Sequence, residues 1–343
     1  MADKNQISNM DKIKAAIIGL GRIASLLEED TLREKPCTHA GAITLNKDCI
    51  LVAGCDLNEE RRKCFAEKWQ VPVYDNAAEM LDIHKPLLLV IATHPDSHYL
   101  YCRLAAEFKT QAVICEKPLA DNLKQARKIV KLCKNKNGTV IITNHERRYS
   151  KDYVRAKSIL KEGKLGAVIT IHATLYMGKT RRLLDVFWHD GTHLADIIMF
   201  LTGSRLKHRR SWGVKLESRK GTTWLEGMLR YDKNKVPVIF EIGAGRDHFV
   251  FEIEFSCQKG RLRIGNGIFE VWQSVPSPYA ENFRSLENTG EEFSGPTGYF
   301  ANMVKDAVEC VKDPKRIPVS GAIDGLRVIE YLNSVKKWGK NRV

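Results

Sequence analysis

Two stretches of the 343-residue chain concentrate side chains able to move a proton. The first is Glu116-Lys117-Pro118, which closes the apolar run Val113-Ile114-Cys115. Proline fixes its own φ and drives the residue before it towards an extended conformation. Lys117 is therefore expected where a buried strand leaves its sheet. The carboxyl ends of strands are where open parallel sheets bind ligands, and a lysine there can exchange a proton or stabilise an oxyanion. The second stretch is His189-Asp190-Gly191-Thr192-His193, with Asp196 close behind. On a helix His193 and Asp196 share a face, and a histidine beside a carboxylate can be held in one tautomer for proton transfer. Asp190 or Thr192 also suits the cap of a helix starting here. The order H-D-G-T-H fits no strong zinc signature, and no metal is expected.

The elements around the first stretch alternate. Lys14 to Ala24 reads as a buried strand, a glycine turn and a helix start, in the pattern Gly19-x-Gly21-x-x-Ala24. Gly19 permits the turn, Gly21 lets the backbone approach a pyrophosphate, and Ala24 allows close helix–strand packing. The helix N-terminus at Arg22 and Ile23 offers N–H groups to phosphates. A second strand, Ile50 to Cys55, leads into Asp56, placed to accept a ribose 2′-hydroxyl. Asp56 lies further on than the usual spacing of about 20 residues, because Leu26 to Ala40 is inserted. An acid at this point argues for NAD by repelling a 2′-phosphate, while Arg61 and Arg62 leave NADP open. Asp56 also suits the N-cap of a helix Glu59–Lys68. A short capped helix is expected over Tyr74–Leu81 and a strand over Pro86–Ala92. The loop Thr93 to His98 then faces the nicotinamide side, making Thr93, His94 and His98 cofactor or substrate neighbours, although His98 also suits the first turn of a helix His98–Glu107. Strand Gln111–Cys115 delivers Glu116 and Lys117, Asp121 is expected to cap a helix Leu123–Lys134, and Thr139–Thr143 is a further strand. Alternating strand and helix from 12 to 144 is the pattern of a doubly wound parallel sheet.

Further along, Val154–Glu162 has helical spacing and ends at Gly163, a suitable C-cap. Residues Ser211–Trp272 alternate apolar and polar, with turns at 232–235, 243–245 and 265–267, which reads as a meander of antiparallel strands. Trp212, Trp224, Phe240, Phe251 and Phe255 read as sheet-face packing. Composition sets bounds. The length suggests two domains. No apolar run reaches the roughly 18 residues of a membrane span, and the polar Met1–Asp11 is unlike a secretory signal. Nine scattered cysteines without a C-x-x-C pair suit reduced core thiols in a cytoplasmic protein. The net charge of +14 is spread along the chain without a nucleic-acid-binding motif. It reads first as a solvated basic surface and second as attraction of an anionic small molecule, such as a phosphorylated or nucleotide-linked sugar, with nucleic acid not expected.

Together Gly19-Leu-Gly-Arg-Ile-Ala24, Tyr74-Asp-Asn-Ala-Ala-Glu-Met80, Ile91-Ala-Thr-His-Pro-Asp-Ser-His98 and Cys115-Glu-Lys-Pro-Leu119 give the chain a marked likeness. It resembles the Gfo/Idh/MocA family of NAD(P)-dependent oxidoreductases, which includes glucose–fructose oxidoreductase and inositol dehydrogenase. The resemblance implies a Rossmann domain over residues 1–144. It implies an α+β domain over 145–343, with a large open, mostly antiparallel sheet for substrate binding and oligomerisation, hence a homodimer or homotetramer. It gives Lys117 the active-site role of the family's E-K-P lysine, beside Glu116. Residues 144–153 resemble the family's linker, which brings Arg147, Arg148 and Tyr149 near the substrate. Gly191, His193 and Asp196 match the family's G-x-H-x-x-D helix. Many members have an aspartate four residues before that histidine. Here His189 stands there and Asp190 follows, so the base is open among His193, His189 and Lys117. The implied activity is NAD-dependent hydride transfer at a secondary alcohol or ketone carbon of a sugar, cyclic polyol or nucleotide-linked sugar. Its alternatives are a non-catalytic nucleotide sensor and a glycosidase that recycles tightly held NAD.

Overall fold

The computed structural model describes residues 12–340 except 134–137, 179–182 and 218–219. The N-terminal Met1–Asp11 and the expected helix end at Lys134 lie outside the described residues. Contacts divide the chain into two units, residues 12–149 with Gly298–Leu326 and residues 150–297 with 327–340.

In the first unit β1 (Ile13–Ile18) is followed by α1 (His39–Leu45), β2 (Cys49–Cys55), α2 (Glu59–Trp69), β3 (Val73–Tyr74) and α3 (Ala77–His84). Then come β4 (Leu88–Ile91), α4 (His98–Glu107), β5 (Ala112–Cys115), α5 (Leu123–Leu132) and β6 (Val140–Thr143). The six strands lie in the order β3-β2-β1-β4-β5-β6, every pairing parallel. This is the doubly wound sheet that the sequence predicts. Its central strands are apolar throughout because helices cover both faces, and β4 and β5 are buried at every position. The order reverses between β1 and β4, so a crevice opens beyond their carboxyl ends.

Local details differ from expectation where short polar side chains compete. Asn122, not Asp121, caps α5 by accepting from Gln125 N–H. Asn58, not Asp56, caps α2 by accepting from Arg61 N–H. Tyr74 ends a two-residue strand, and the short helix begins only after Asn76, whose side chain accepts from Ala78 and Glu79 N–H. In each case the asparagine sits directly before the first helical residue, where its carbonyl reaches the unpaired N–H groups.

The second unit opens with α6 (Lys151–Glu162), which ends at Gly163 with φ +72°. It continues with β7 (Val168–Met177), α7 (Leu183–His189) and α8 (Gly191–Thr202). Seven strands follow: β8 (Lys207–Glu217), β9 (Lys220–Tyr231), β10 (Asn234–Ala244), β11 (Val250–Cys257), β12 (Gly260–Gly265), β13 (Ile268–Pro276) and β14 (Arg284–Asn288). The sheet order is β14-β13-β12-β11-β7-β10-β9-β8. The sheet is mostly antiparallel, with one parallel pair, β7 and β10. It is two runs of neighbouring strands flanking β7, not the single meander expected. Both β10 and β11 pair with β7, so the chain crosses it between the two runs. One face buries Phe240, Phe251 and Phe255 against α8 and the terminal helix. Elsewhere on the sheet Trp212 and Trp224 stack across paired strands, ring centroids 6.4 Å apart.

Two helices complete the chain, α9 (Tyr299–Lys312) and α10 (Ala322–Lys340). The segment Gly298–Leu326 lies with the first unit because Phe300, Met303, Val304, Ala307 and Val308 of α9 join its apolar cluster. From Arg327 onward α10 lies with the second unit, where Val328, Tyr331, Leu332 and Val335 are core residues. Among the described residues no helix is long and apolar enough to cross a membrane.

Candidate active site

The glycine turn follows β1 directly. Gly19 has φ +89°, and a Cβ there would lie 2.7 Å from the backbone of Ala92. Only glycine fits, because both the dihedral and the close approach exclude a side chain. At Gly21 a Cβ would meet only the guanidinium of Arg61, at 3.8 Å, so the space beside this residue is open. Ser25 N–H bonds back to Gly21 and Leu27 N–H to Arg22, continuing the turn into a single 3-10 turn, Leu26–Glu29, so the helix start expected at Ala24 is absent and the first α-helix begins only at His39. The chain then makes an excursion through Leu26–Thr38 and returns. His39 N–H donates to the Ile23 carbonyl and Ala40 N–H to that of Ala24. Glu28 closes the excursion by accepting from Cys37 N–H and the Thr38 hydroxyl.

Asp56 reaches this turn despite its long separation in sequence. One carboxylate oxygen accepts from Leu20 N–H at 2.8 Å and the other from Asn58 N–H at 2.9 Å. A carboxylate has about four acceptor positions, so capacity remains for ribose hydroxyls. Arg61 stands 3.6 Å away, whereas Arg62 donates to the carbonyls of Asp56 and Leu57. The open cradle at Gly21, the strictly glycine turn at Gly19 and the carboxylate beside them fit a dinucleotide. Arg22 is exposed at the turn and Ile23 packs against the core.

The loops after β4 and β5 are tied together by one buried imidazole. His98 is fully buried; one ring nitrogen faces the Thr93 carbonyl at 3.1 Å and the other faces those of Pro118 and Leu119 at 3.1 and 3.3 Å. Burial pushes its pKa below the ordinary 6.5, against those hydrogen bonds. Its ring thus holds the Thr93–His98 loop to the chain after Lys117. His94 is exposed, and Thr93 shares a 2.7 Å hydrogen bond with Ser97.

Glu116 is the most enclosed charge in the region. Its carboxylate takes hydrogen bonds from His39 Nε2 at 2.8 Å, Asn144 Nδ2 at 2.5 Å and Lys117 N–H at 3.2 Å. Burial alone would raise its pKa, but His39, Asn144 and Lys117 outweigh burial and hold it below the ordinary value. A charge so placed persists only because it is paired and hydrogen-bonded. Lys117 is half-buried and leaves the sheet through Pro118. No local pattern marks His39, which lies 77 residues from its partner at the end of the inserted segment.

Arg148 and Tyr149 are packed into the first unit. Arg148 is 5% exposed, donates to the Val319 carbonyl and pairs with Asp324 at 3.2 Å. The Tyr149 hydroxyl donates to Asp306 at 3.1 Å. Burial and the Asp306 charge push its pKa well above the ordinary range.

In the second unit the other candidates occupy the corner between α7 and α8. Gly191 is required there, since a Cβ would fall 2.8 Å from the Phe187 ring. Asp190 occupies the N-cap position, but its side chain makes no cap hydrogen bond. Thr192 instead donates to the His189 carbonyl at 3.0 Å. Exposure falls along the segment: His189 is exposed, Asp190 and His193 are half-buried, and Asp196 is buried. Among the described residues no three His, Cys, Asp or Glu side chains are grouped to hold a metal.

Residues 13–144 match the profile of the Gfo/Idh/MocA oxidoreductase family, NAD-binding Rossmann fold. Inositol 2-dehydrogenase of Salmonella typhimurium is 29% identical over 253 residues, covering 72% of this chain and 69% of that protein. Glucose-6-phosphate 3-dehydrogenase of Bacillus subtilis is 25% identical over 202 residues, covering 55% and 53%. The fold extends over nearly the whole chain in the WlbA dehydrogenase of Bordetella pertussis, solved with NADH and UDP-GlcNAcA. There the TM-score is 0.72 at 18% identity, covering 97% of this chain and 98% of that one. The family match is thus confined to residues 13–144, the part that holds the parallel sheet and the glycine turn.

Proposed function

We propose that this oxidoreductase moves a hydride at a secondary alcohol or ketone carbon of a sugar, cyclic polyol or nucleotide-linked sugar. The observation that carries the proposal is Lys117 at the carboxyl end of β5, in a parallel sheet with a dinucleotide-fitting glycine turn. The carboxylate beside it is fixed by His39 and Asn144. The named activities of the inositol and glucose-6-phosphate relatives point to the same substrate range.

When bound, NAD supplies a hydride acceptor or donor at its nicotinamide ring. The chain's own residues then have separable tasks. Gly19, Gly21, Arg22 and Ile23 present backbone to the pyrophosphate, and Asp56 accepts from the ribose hydroxyls. Arg61 offsets part of the Asp56 charge, so NADP is disfavoured less than an unpaired acid would make it. Thr93, His94 and Glu116 border the nicotinamide side, and His98 orients their loops. In the oxidative direction the hydroxyl proton goes to one of His193, His189 or Lys117. A protonated Lys117 also stabilises an oxyanion forming on the substrate. Asp190 and His193 bind substrate hydroxyls, and Arg148 and Tyr149 support the substrate side from within the first unit.

The proposed division of labour assigns residues 1–144 to the dinucleotide and 145–343 to substrate and to self-association as a dimer or tetramer. Nine free thiols favour a cytoplasmic protein. The test is NADH absorbance with inositols, aldoses, sugar phosphates and nucleotide sugars, offering NAD and NADP separately. Turnover on one class, abolished in Lys117→Ala, is the expected result. Nucleotide binding without turnover across the panel would overturn it in favour of a sensor or a recycled cofactor.

A further inference from the structure

The main chain around Lys117 is held from both sides by buried imidazoles. On the far side His98 faces the carbonyls of Pro118 and Leu119. On the near side the link runs through Glu116. Its Oε2 accepts from Lys117 N–H at 3.2 Å, while its Oε1 accepts from His39 Nε2 at 2.8 Å and from Asn144 Nδ2 at 2.5 Å. The carboxylate cannot turn without breaking the pair of bonds on Oε1, so Oε2 stays aimed at the Lys117 N–H. Burial raises the Glu116 pKa, and the His39 hydrogen bond leads the interactions that bring it down.

His39 is committed to this one polar contact. Its side chain is fully buried, and its ring meets Phe300 of α9 edge-on, with centroids 5.1 Å apart. The other ring nitrogen, Nδ1, has no hydrogen-bond partner among the described residues. A neutral imidazole carries a single N–H, and this arrangement puts it on Nε2, where the carboxylate accepts it. The main chain of His39 is fixed separately. Its N–H donates to the Ile23 carbonyl at 3.2 Å, and Thr38 caps α1 by accepting from Gly41 N–H. The ring thus starts from a point set by the glycine turn and reaches across to Glu116. A leucine would also fill the space beside Phe300, but it would lack the donor.

A lysine amine rides on a flexible four-carbon stem. Misplacing a reacting group by about 1 Å can cost about 100-fold in rate. We propose that His39 is a positioning residue for Lys117: through Glu116 it fixes the main chain from which the lysine reaches its substrate. His39 itself touches neither substrate nor cofactor. This role rests on the proton transfer proposed for Lys117.

Two variants of the full chain separate positioning from a place in the core. His39→Gln carries an amide that reaches Glu116 as Nε2 does, and His39→Asn carries the same amide one carbon short. Acylation of the nucleotide-free protein with acetic anhydride, read by mass spectrometry on the Lys117 peptide, reports on the lysine without turnover. Lys117 is expected to react several-fold faster in His39→Asn, because a loosened side chain is more easily reached. In His39→Gln it is expected to react near the wild-type rate, with the exposed Lys124 of α5 unchanged in both. With the substrate class that the nucleotide panel identifies, kcat should fall roughly 10–100-fold in His39→Asn at unchanged KM for NAD, and recover in His39→Gln. Equal kcat in the two variants, or wild-type acylation of Lys117 in His39→Asn, would overturn the proposal. So would loss of the fold in His39→Asn, since the bond would then hold the unit together rather than place the lysine. Full activity in Lys117→Ala would overturn the Lys117 assignment and this role with it. An inactive Lys117→Ala beside a fully active His39→Asn would overturn this role alone.

Discussion

The two corners that carry the candidate proton-transfer groups are built on opposite principles. Around Lys117 the neighbours are sealed in: His39, His98 and Glu116 are buried, and the Glu116 carboxylate accepts three hydrogen bonds. At the α7–α8 corner exposure is graded, from His189 at the surface to Asp196 within, and the turn depends on a glycine fitting beneath a ring. A sealed corner gains fixed geometry from its buried charges, so altering one of these disturbs folding and chemistry together, whereas the half-buried Lys117 can change at less cost to the fold. A graded corner keeps its outer polar side chains, His189 and Asp190, in contact with water, so replacing them carries less of the penalty attached to a buried charge.

The largest expected effect separates those two consequences. Lys117→Ala should lower kcat by roughly 10²–10⁴-fold, the range for a proton-transfer group. Its stability should change by no more than about 1 kcal/mol; activity and urea unfolding on the same preparation check both. Glu116→Ala should destabilise the first unit by about 3–5 kcal/mol, since it strands His39 and the Asn144 amide without their acceptor. Asp190→Ala, at a half-buried side chain, should cost only about 1 kcal/mol. Equal losses for Glu116 and Asp190 would erase the contrast between the corners. Gly191→Ala should cost about 1–3 kcal/mol by pressing a methyl group on Phe187, and differential scanning calorimetry reads it.

Smaller effects sharpen the picture of the first unit. Asp56→Ala should raise KM for NAD roughly tenfold by removing a charged acceptor. It should also narrow the preference over NADP, because Arg61 loses the carboxylate beside it; initial rates with both nucleotides decide this. The pH dependence follows from His98. Its folded pKa lies below the ordinary 6.5, so the unfolded chain binds the proton more readily. Its contribution is fully present above 6.5 and declines as the pH falls below that value. Glu116, also depressed, contributes fully above 4.5 and loses its contribution only as the pH falls below that value. Stability measured against pH should therefore weaken in two successive windows, and His98→Gln should shrink the upper one without abolishing it, because burial depresses His84 and His208 as well.

Much of the first unit is legible in the sequence because its signals are local. Apolar runs ending in Gly19, Asp56 and Lys117 announce strands and the residues at their carboxyl ends. The choice between Asp121 and Asn122 as cap is not legible, because either side chain could accept and the helix register decides. The central position of β7 is not legible either, since strand order depends on pairings far apart in the chain. The same holds for the site: Lys117 stands out, but His39 and Asn144 become partners of its neighbour Glu116 only once α1 and the end of β6 come together at the end of β5.

The excursion between Ala24 and His39 bears on how such proteins diversify. Because His39 and Ala40 return to the carbonyls of Ile23 and Ala24, and Glu28 fastens the excursion from within, the segment is a module with both ends at one place. Its two ends are held by the same hydrogen bonds whatever the length of chain between them. Distance along the chain is then a poor ruler for the acid proposed to meet the ribose, whereas the hydrogen bond from Leu20 N–H to Asp56 is a good one.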